Sequence, residues 1–298
     1  MPLLYLAKVN LNSNIFDVYD NKLAFKDVFS LIYESILDGT DYKTQNKERY
    51  IDSYGNPDVY IRESKYRFQE IYKRDSGVIT GKLVRTFNKP SERLNEATNR
   101  MVTTYIEESV SIYFYYDVYK EMITFCERQS FGYNQFMNAF THMLNKCVGI
   151  YEFEIFLQKD KDMLADKMKK LRTVQRVRAT LIPPNSNEED LQELRSELLY
   201  MQQCQDANAT KMNLDYVSEN MKMESKVMKD IMTAVSRGYG DVTATGINIS
   251  GRQQTISSSQ DAAYTANIQE NIGEEDYNEE SRNLILGFLA KLKRKVFV

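Results

Sequence analysis

The stretch from Tyr105 to Leu181 leaves this chain the fewest folding options. Ser109 to Tyr116 is β-branched and aromatic, Asp117 to Lys120 offers a turn, and Glu121 to Cys126 returns, which predicts a β-hairpin. Phe136, Phe140, Met143, Leu144 and Cys147 then recur at helical spacing until Gly149, so a helix opening in Phe131–Phe136 is expected to end there. Ile150 to Leu157 reads as a third strand, Lys161 to Leu171 as an amphipathic helix, and Val174 to Leu181 as a fourth strand closed by Pro183 and Pro184. The order ββαβαβ predicts an α+β fold. Because a strand–helix–strand unit needs a crossover, the third and fourth strands are expected to run parallel beside the antiparallel hairpin, giving a mixed β-sheet.

The flanks are read more coarsely. Leu3 to Leu11 alternates like a strand, and Asp27 to Leu37 clusters its apolar residues on one helical side before Gly39. Asp41 to Asp75 is polar, charged and tyrosine-rich, and predicts a short strand at most. Gly77 to Phe87 is a strand that Asn88-Lys-Pro90 is expected to end, with a surface helix over Ser91 to Arg100. Beyond the prolines, Asn185 to Asp190 caps a helix carrying Leu191 to Met201, and Glu224 to Arg237 forms another. Asp241 to Ile249 and Gln253 to Ser258 suggest a small β unit, followed by a possible strand at Ala263 to Ile268 and a terminal amphipathic helix from Glu279. These patterns divide the chain into 1–100, an N-terminal region with a tyrosine-rich insertion; 101–184, the central unit; and 185–298, a helical and β-hairpin region.

Several chemistries are excluded by what is missing. Three cysteines (Cys126, Cys147, Cys204) in no CxxC spacing and one histidine, His142, provide no zinc cage and no disulfide framework. No phosphate-cradling glycine loop, nucleophile elbow or kinase signature occurs, so no catalytic residue and no cofactor is expected. The first residues lack a basic n-region and a cleavage site, and no run approaches the roughly 18 apolar residues of a membrane span, so a cytoplasmic protein without membrane contact is expected. Lys and Arg total 39 against 42 for Asp and Glu; at net −3, any basic surface must be local.

Three features remain as candidates. The cluster Lys167, Lys169, Lys170, Arg172, Arg176 and Arg178 is the densest local positive charge, and a face of this kind would bind nucleic-acid phosphates with steep salt dependence. Glu152 and Glu154, with Lys159 beyond them, supply the residue types of a metal-dependent nuclease at an unsuitable spacing: the odd offset turns Lys159 to the other strand face. Leu284, Ile285, Phe288, Leu289 and Leu292 form an apolar stripe that must be covered by the chain itself, a partner or a second copy.

The runs Ile112-Tyr-Phe-Tyr-Tyr-Asp117, Met122-Ile-Thr-Phe-Cys-Glu-Arg128, Phe131-Gly-Tyr-Asn-Gln-Phe136 and Ala179-Thr-Leu-Ile-Pro-Pro-Asn185 resemble an uncharacterised bacterial domain family found among phage-defence and mobile-element genes, over about residues 105–190. The resemblance implies a setting of phage–bacterium conflict, as a defence component or a phage-encoded inhibitor, and transfers no catalytic residue. With abundant Tyr and Met, the expected function is a non-enzymatic interaction protein that assembles as a homo-oligomer or with a partner complex. A nucleic-acid partner held by the basic face is the alternative, and a divergent nuclease the second.

Overall fold

Strands of unusual length organise the molecule. The computed structural model describes residues 1–51, 57–97, 99–185 and 199–293. Strand β1 (Leu3–Leu11) leads into the short helix α1 (Ile15–Tyr19) and α2 (Phe25–Ser35). Then come β2 (Asp41–Ile51), β3 (Pro57–Arg74), β4 (Val78–Asn95), β5 (Arg100–Asp117) and β6 (Met122–Cys126). Helix α3 (Tyr133–Val148), β7 (Phe153–Leu157), α4 (Lys161–Met168) and β8 (Leu171–Leu181) follow. After the Pro-Pro segment come α5 (Leu199–Asp206), β9 (Met212–Val217), α6 (Lys226–Ser236), β10 (Gly240–Asn248) and β11 (Gln253–Ser257). The last elements are α7 (Ser258–Asp261), β12 (Thr265–Asn267) and α8 (Glu274–Lys293).

The fold is α+β, with two antiparallel sheets. The larger has eight strands in the order β12-β1-β6-β5-β4-β3-β2, with β7 sharing an edge of β1; the smaller runs β11-β10-β8-β9. The ββαβαβ order is present, but the expected mixed sheet is not, because β7 pairs with β1 while β8 pairs with β9 and β10 in the other sheet. Helix α4 therefore links two sheets and needs no parallel crossover. β12 also leaves its neighbours and pairs with β1, Leu3 opposite Asn267.

Three expectations fail in the N-terminal half. The region 41–75 holds two long strands, β2 and β3; β4 continues through Pro90; and 91–95 is strand where a helix was expected, with β5 starting at Arg100. The last two share a physical reason: residues 88–94 are largely exposed on both sides, so this stretch needs no apolar alternation and its sequence looks like loop. In the first, Tyr66 and Phe68 of β3 are buried among polar neighbours, too sparse a signal to set a strand's length. Proline is tolerated on a strand with a free edge, and β4 has lost its β3 partner beyond Phe87. Strand β9 was not expected either, although its Met212, Leu214 and Tyr216 alternate with exposed residues as a half-buried strand does. The helix expected over 191–201 lies outside the described residues up to 198, and α5 begins at Leu199.

The large sheet is packed on both faces. Along β1, Tyr5, Ala7, Val9 and Leu11 join the main core, while Leu4 and Leu6 join a second core under α8. Helix α3 fills the main core with Phe136 and Phe140: Phe136 stacks on Phe125 with ring centroids 4.0 Å apart, and Phe140 meets Phe114 edge-on at 5.1 Å. Gly149 ends α3 in the left-handed conformation at φ 74°, as its spacing predicts. The three thiols are free, and burial pushes Cys126 up to about 12, away from reactive thiolate chemistry.

Candidate functional site

The sheet forks. β3 and β4 pair from Arg74–Val78 to Ser64–Phe87, with one irregularity at Glu70–Ile71, and pair no further. Beyond that point β2 and β3 stay joined to the Ile51–Pro57 pair, and β4 and β5 to the Asn95–Arg100 pair. Two hairpin prongs thus leave the body, each roughly 25 Å long at the rise of a β-strand.

One side of the β4–β5 prong carries two apolar pairs, separated by the pair of exposed Glu92 with Thr103. Pro90 lies opposite Tyr105 and Leu94 opposite Met101, and the even spacing along each strand puts all four on one side. Leu94 is 55% exposed, Met101 60% and Tyr105 50%. On the other side Lys89 faces Ile106, and Lys89 also forms an ion pair with Glu108 at 3.2 Å. The apolar side continues the sheet face that α8 covers in the body. Coverage stops near Lys82, where Glu274 at the start of α8 lies 3.9 Å from the lysine. Sequence reasoning missed this face because its apolar residues are sparse; the even spacing of Pro90 and Leu94 was the one available signal.

The apolar stripe of α8 lies elsewhere. Leu284, Ile285 and Phe288 are buried with Leu4, Leu6, Val78, Tyr115 and Met122 of the chain's own sheet, and Leu289 and Leu292 pack at the margin. Tyr264 meets Phe288 edge-on at 5.0 Å, and Lys291 reaches Asp160, the N-cap of α4, at 3.3 Å. Among the described residues, no helix is long and apolar enough to cross a membrane.

The six basic residues are spread over α4 and β8. Lys167 pairs with Asp261 at 3.7 Å and Lys169 with Asp166 at 3.1 Å, while Lys170 and Arg172 are exposed. Arg176 and Arg178 both reach Asp215, at 2.5 and 3.4 Å. The Arg176 hydrogen bond holds the Asp215 carboxyl down at about 2. Four of the six charges thus have carboxylate neighbours, which weakens the field they present to phosphate.

The structure separates Glu152, Glu154 and Lys159. Glu154 pairs with Lys211 on the surface, whereas Lys159 is fully buried and meets Asp241 at 2.6 Å and the Gly240 carbonyl at 3.1 Å. Burial lowers the Lys159 pKa, with Asp241 opposing. Among the described residues, no three His, Cys, Asp or Glu side chains converge as metal ligands. His142 is exposed and stacks on Tyr42, ring centroids 4.8 Å apart.

A second buried polar junction involves Asn185, the end of the Pro-Pro-Asn run. Its amide donates to Glu121 Oε1 at 2.6 Å and to the Val9 carbonyl at 3.2 Å. Glu121 in turn lies 3.6 Å from Lys8 Nζ, which donates to the Tyr239 hydroxyl at 2.8 Å. The cavity beside Glu121 measures about 10 Å³, room for one water at most and for no substrate. This junction locks four parts of the chain together.

None of the curated proteins matches this sequence. A family model described as "Domain of unknown function (DUF4747)" matches residues 32–285, from within α2 to within α8, well beyond the stretch on which the resemblance to an uncharacterised family was read. Over that span, which takes in both prongs and both sheets, the chain belongs to the DUF4747 family.

Proposed function

We propose that the protein acts by binding, joining a second copy of itself through the apolar face of the β4–β5 prong, in phage–bacterium conflict. One observation carries the assembly reading: Pro90, Leu94, Met101 and Tyr105 share one side of a two-stranded ribbon that has left the body. A two-stranded hairpin is marginally stable alone in water. The same face inside the body is covered by α8, so a covered state is the one this surface is built for. A second copy supplies a ribbon of equal length and identical apolar pairs, and a two-fold arrangement places each against the other.

Sedimentation at micromolar concentration tests this. The wild type is expected as a dimer or larger, and Leu94→Glu with Met101→Glu as a monomer that still unfolds cooperatively. A monomeric wild type overturns the reading. The conflict setting rests on the resemblance of the four quoted segments to a family found among phage-defence genes. A defence component lowers phage plating when expressed in a bacterial host, and an inhibitor restores plating on a defended one. No change in either assay overturns the setting.

A further inference from the structure

Five charged side chains are buried among the described residues: Lys8, Arg85, Asp117, Glu121 and Lys159. Four of them have an opposite charge within ion-pair distance, Lys8 with Glu121, Asp117 with Lys120 and Lys159 with Asp241. Arg85, 6% exposed, has only neutral acceptors. Its Nε and Nη2 donate to the Ser64 hydroxyl at 3.4 and 3.2 Å, and its Nη1 donates to the Ser130 carbonyl and, at 3.2 Å, to the Gln135 side chain. The guanidinium also lies over the Phe87 ring, 4.3 Å from its centroid. These contacts fix the group in place but leave its charge without a counter-ion. Arginine is seldom buried on such terms.

Arg85 stands where the sheet forks, two residues before Phe87, the last β4 residue paired with β3. A recess of about 380 Å³ opens there, lined by Arg85, by the consecutive β4 residues 87–90, and by Ser130, Gly132 and Gln135. Consecutive strand residues point to opposite faces, so all four meet one recess along the strand's edge, here the edge that β3 has left. Gly132, the N-cap of α3, brings no capping side chain, and no acidic residue occupies the first turn of that helix. The first N–H groups of a helix lack partners within it, so this end adds partial positive charge. Glu127 takes one of them, Tyr133 N–H at 3.4 Å, together with the Tyr5 hydroxyl at 3.2 Å, and does not line the recess. Lys89 pairs with Glu108 in the open, a contact that costs little to break.

We infer that this recess binds a phosphate group, as inorganic phosphate or as a monoester. A planar carboxylate is gripped by arginine through two parallel N–H bonds, and each such edge of Arg85 already holds Ser64, Ser130 or Gln135. What remains are donors from separate directions: the last guanidinium N–H, the Lys89 ammonium and the amides that open α3. A tetrahedral dianion meets such a set with different oxygens, and its charge answers the one buried charge that the chain leaves unpaired. The recess is larger than the anion, and Phe87 and Pro90 on its wall leave room for the substituent of an ester. The inference needs no second copy of the chain.

Titration calorimetry of the full chain with inorganic phosphate, phenyl phosphate and acetate tests it. Phosphate or its ester is expected to bind and acetate is not; the tighter of the first two tells a free anion from a monoester. Affinity for phenyl phosphate should rise with pH through the ester's second ionisation at about 6. Arg85→Gln should weaken binding about tenfold or more, the scale of a lost charge-assisted hydrogen bond. Should that buried substitution abolish the cooperative thermal transition, Lys89→Gln decides, because an exposed residue leaves the fold intact and its loss should weaken binding about three- to fivefold. Leu94→Glu with Met101→Glu should leave phosphate affinity unchanged, so this inference and the assembly reading fail separately. The absence of binding by either phosphate at millimolar concentration overturns the inference. An affinity that Lys89→Gln and a folded Arg85→Gln both leave unaltered also overturns it, as does acetate binding as tightly as phosphate.

Discussion

Strands β4 and β5 live in two environments. Near the body their residues Ile79, Leu83, Ile112 and Phe114 are fully or almost fully buried, and the opposite face is covered by α8. Past Phe87 the same two strands keep perfect pairing down to Asn95 and Arg100 while both faces lose their cover. Backbone hydrogen bonding is alike in the two halves, so what separates them is burial. The contrast shows that pairing alone can carry a ribbon away from a fold, but only burial ties it to the fold's stability.

The largest blow to the body should come from Phe288→Asp. This ring is 3% exposed under the sheet, and a carboxylate there is expected to cost more than about 4 kcal/mol and abolish the cooperative thermal transition. A folded variant that only loses association would instead assign the stripe to an interface. On the opposite face, Phe140→Ala should cost about 3–5 kcal/mol in denaturant unfolding, since the ring is fully buried among Phe68, Phe114 and Tyr116.

The ion pair of buried Lys159 with the part-exposed Asp241 gives a smaller and more selective effect. Asp241→Asn leaves the buried ammonium without its anion and should cost about 3 kcal/mol, whereas Lys159→Met should be near neutral. The pH dependence has a definite sign. The unfolded chain keeps the Lys159 proton up to about 10.5, and the folded chain releases it lower, so this residue makes stability rise with pH across that interval. Lys159→Met should remove that slope, seen as a difference between the two stability–pH curves.

The prong should respond in the opposite way. Leu94→Glu is expected to change the unfolding free energy of the dissociated chain, measured at high dilution, by less than about 0.5 kcal/mol, because the residue is exposed there, while altering sedimentation at micromolar concentration. The smallest effect belongs to Asp215. Its carboxyl should titrate near 2 by NMR and move up toward 3.8 in Arg176→Gln. Any stability it adds is present above the unfolded value and lost as pH falls toward 2.

How much of this was legible follows the same divide. β1, the hairpin of β5 and β6, α3 with its Gly149 stop, and β10 with β11 were readable because each is buried on one face or on both, and burial writes apolar residues into sequence. The outer part of β4 wrote almost none. In Asn88–Asn95 the apolar residues are Pro90 and Leu94, too few to announce a strand. The sheet assignment of β7 and β8 was not readable either, since strand partners at long range leave no local trace. The stripe of α8 could be found from its spacing, but not what it covers.

The position of β1 bears on how the chain reaches this state. Its partners are β6, β7 and β12, and the last of these ends at Asn267. During synthesis β1 leaves the ribosome long before β12 exists, so a strand rich in Leu waits with an open edge while most of the polypeptide is made. Closing that edge requires contacts of very long loop length, which fold slowly. A nascent chain halted before residue 265 would therefore carry every strand of the fork and still lack the one that completes the Leu3–Tyr5 edge, a form prone to capture by chaperones or by other unfinished copies.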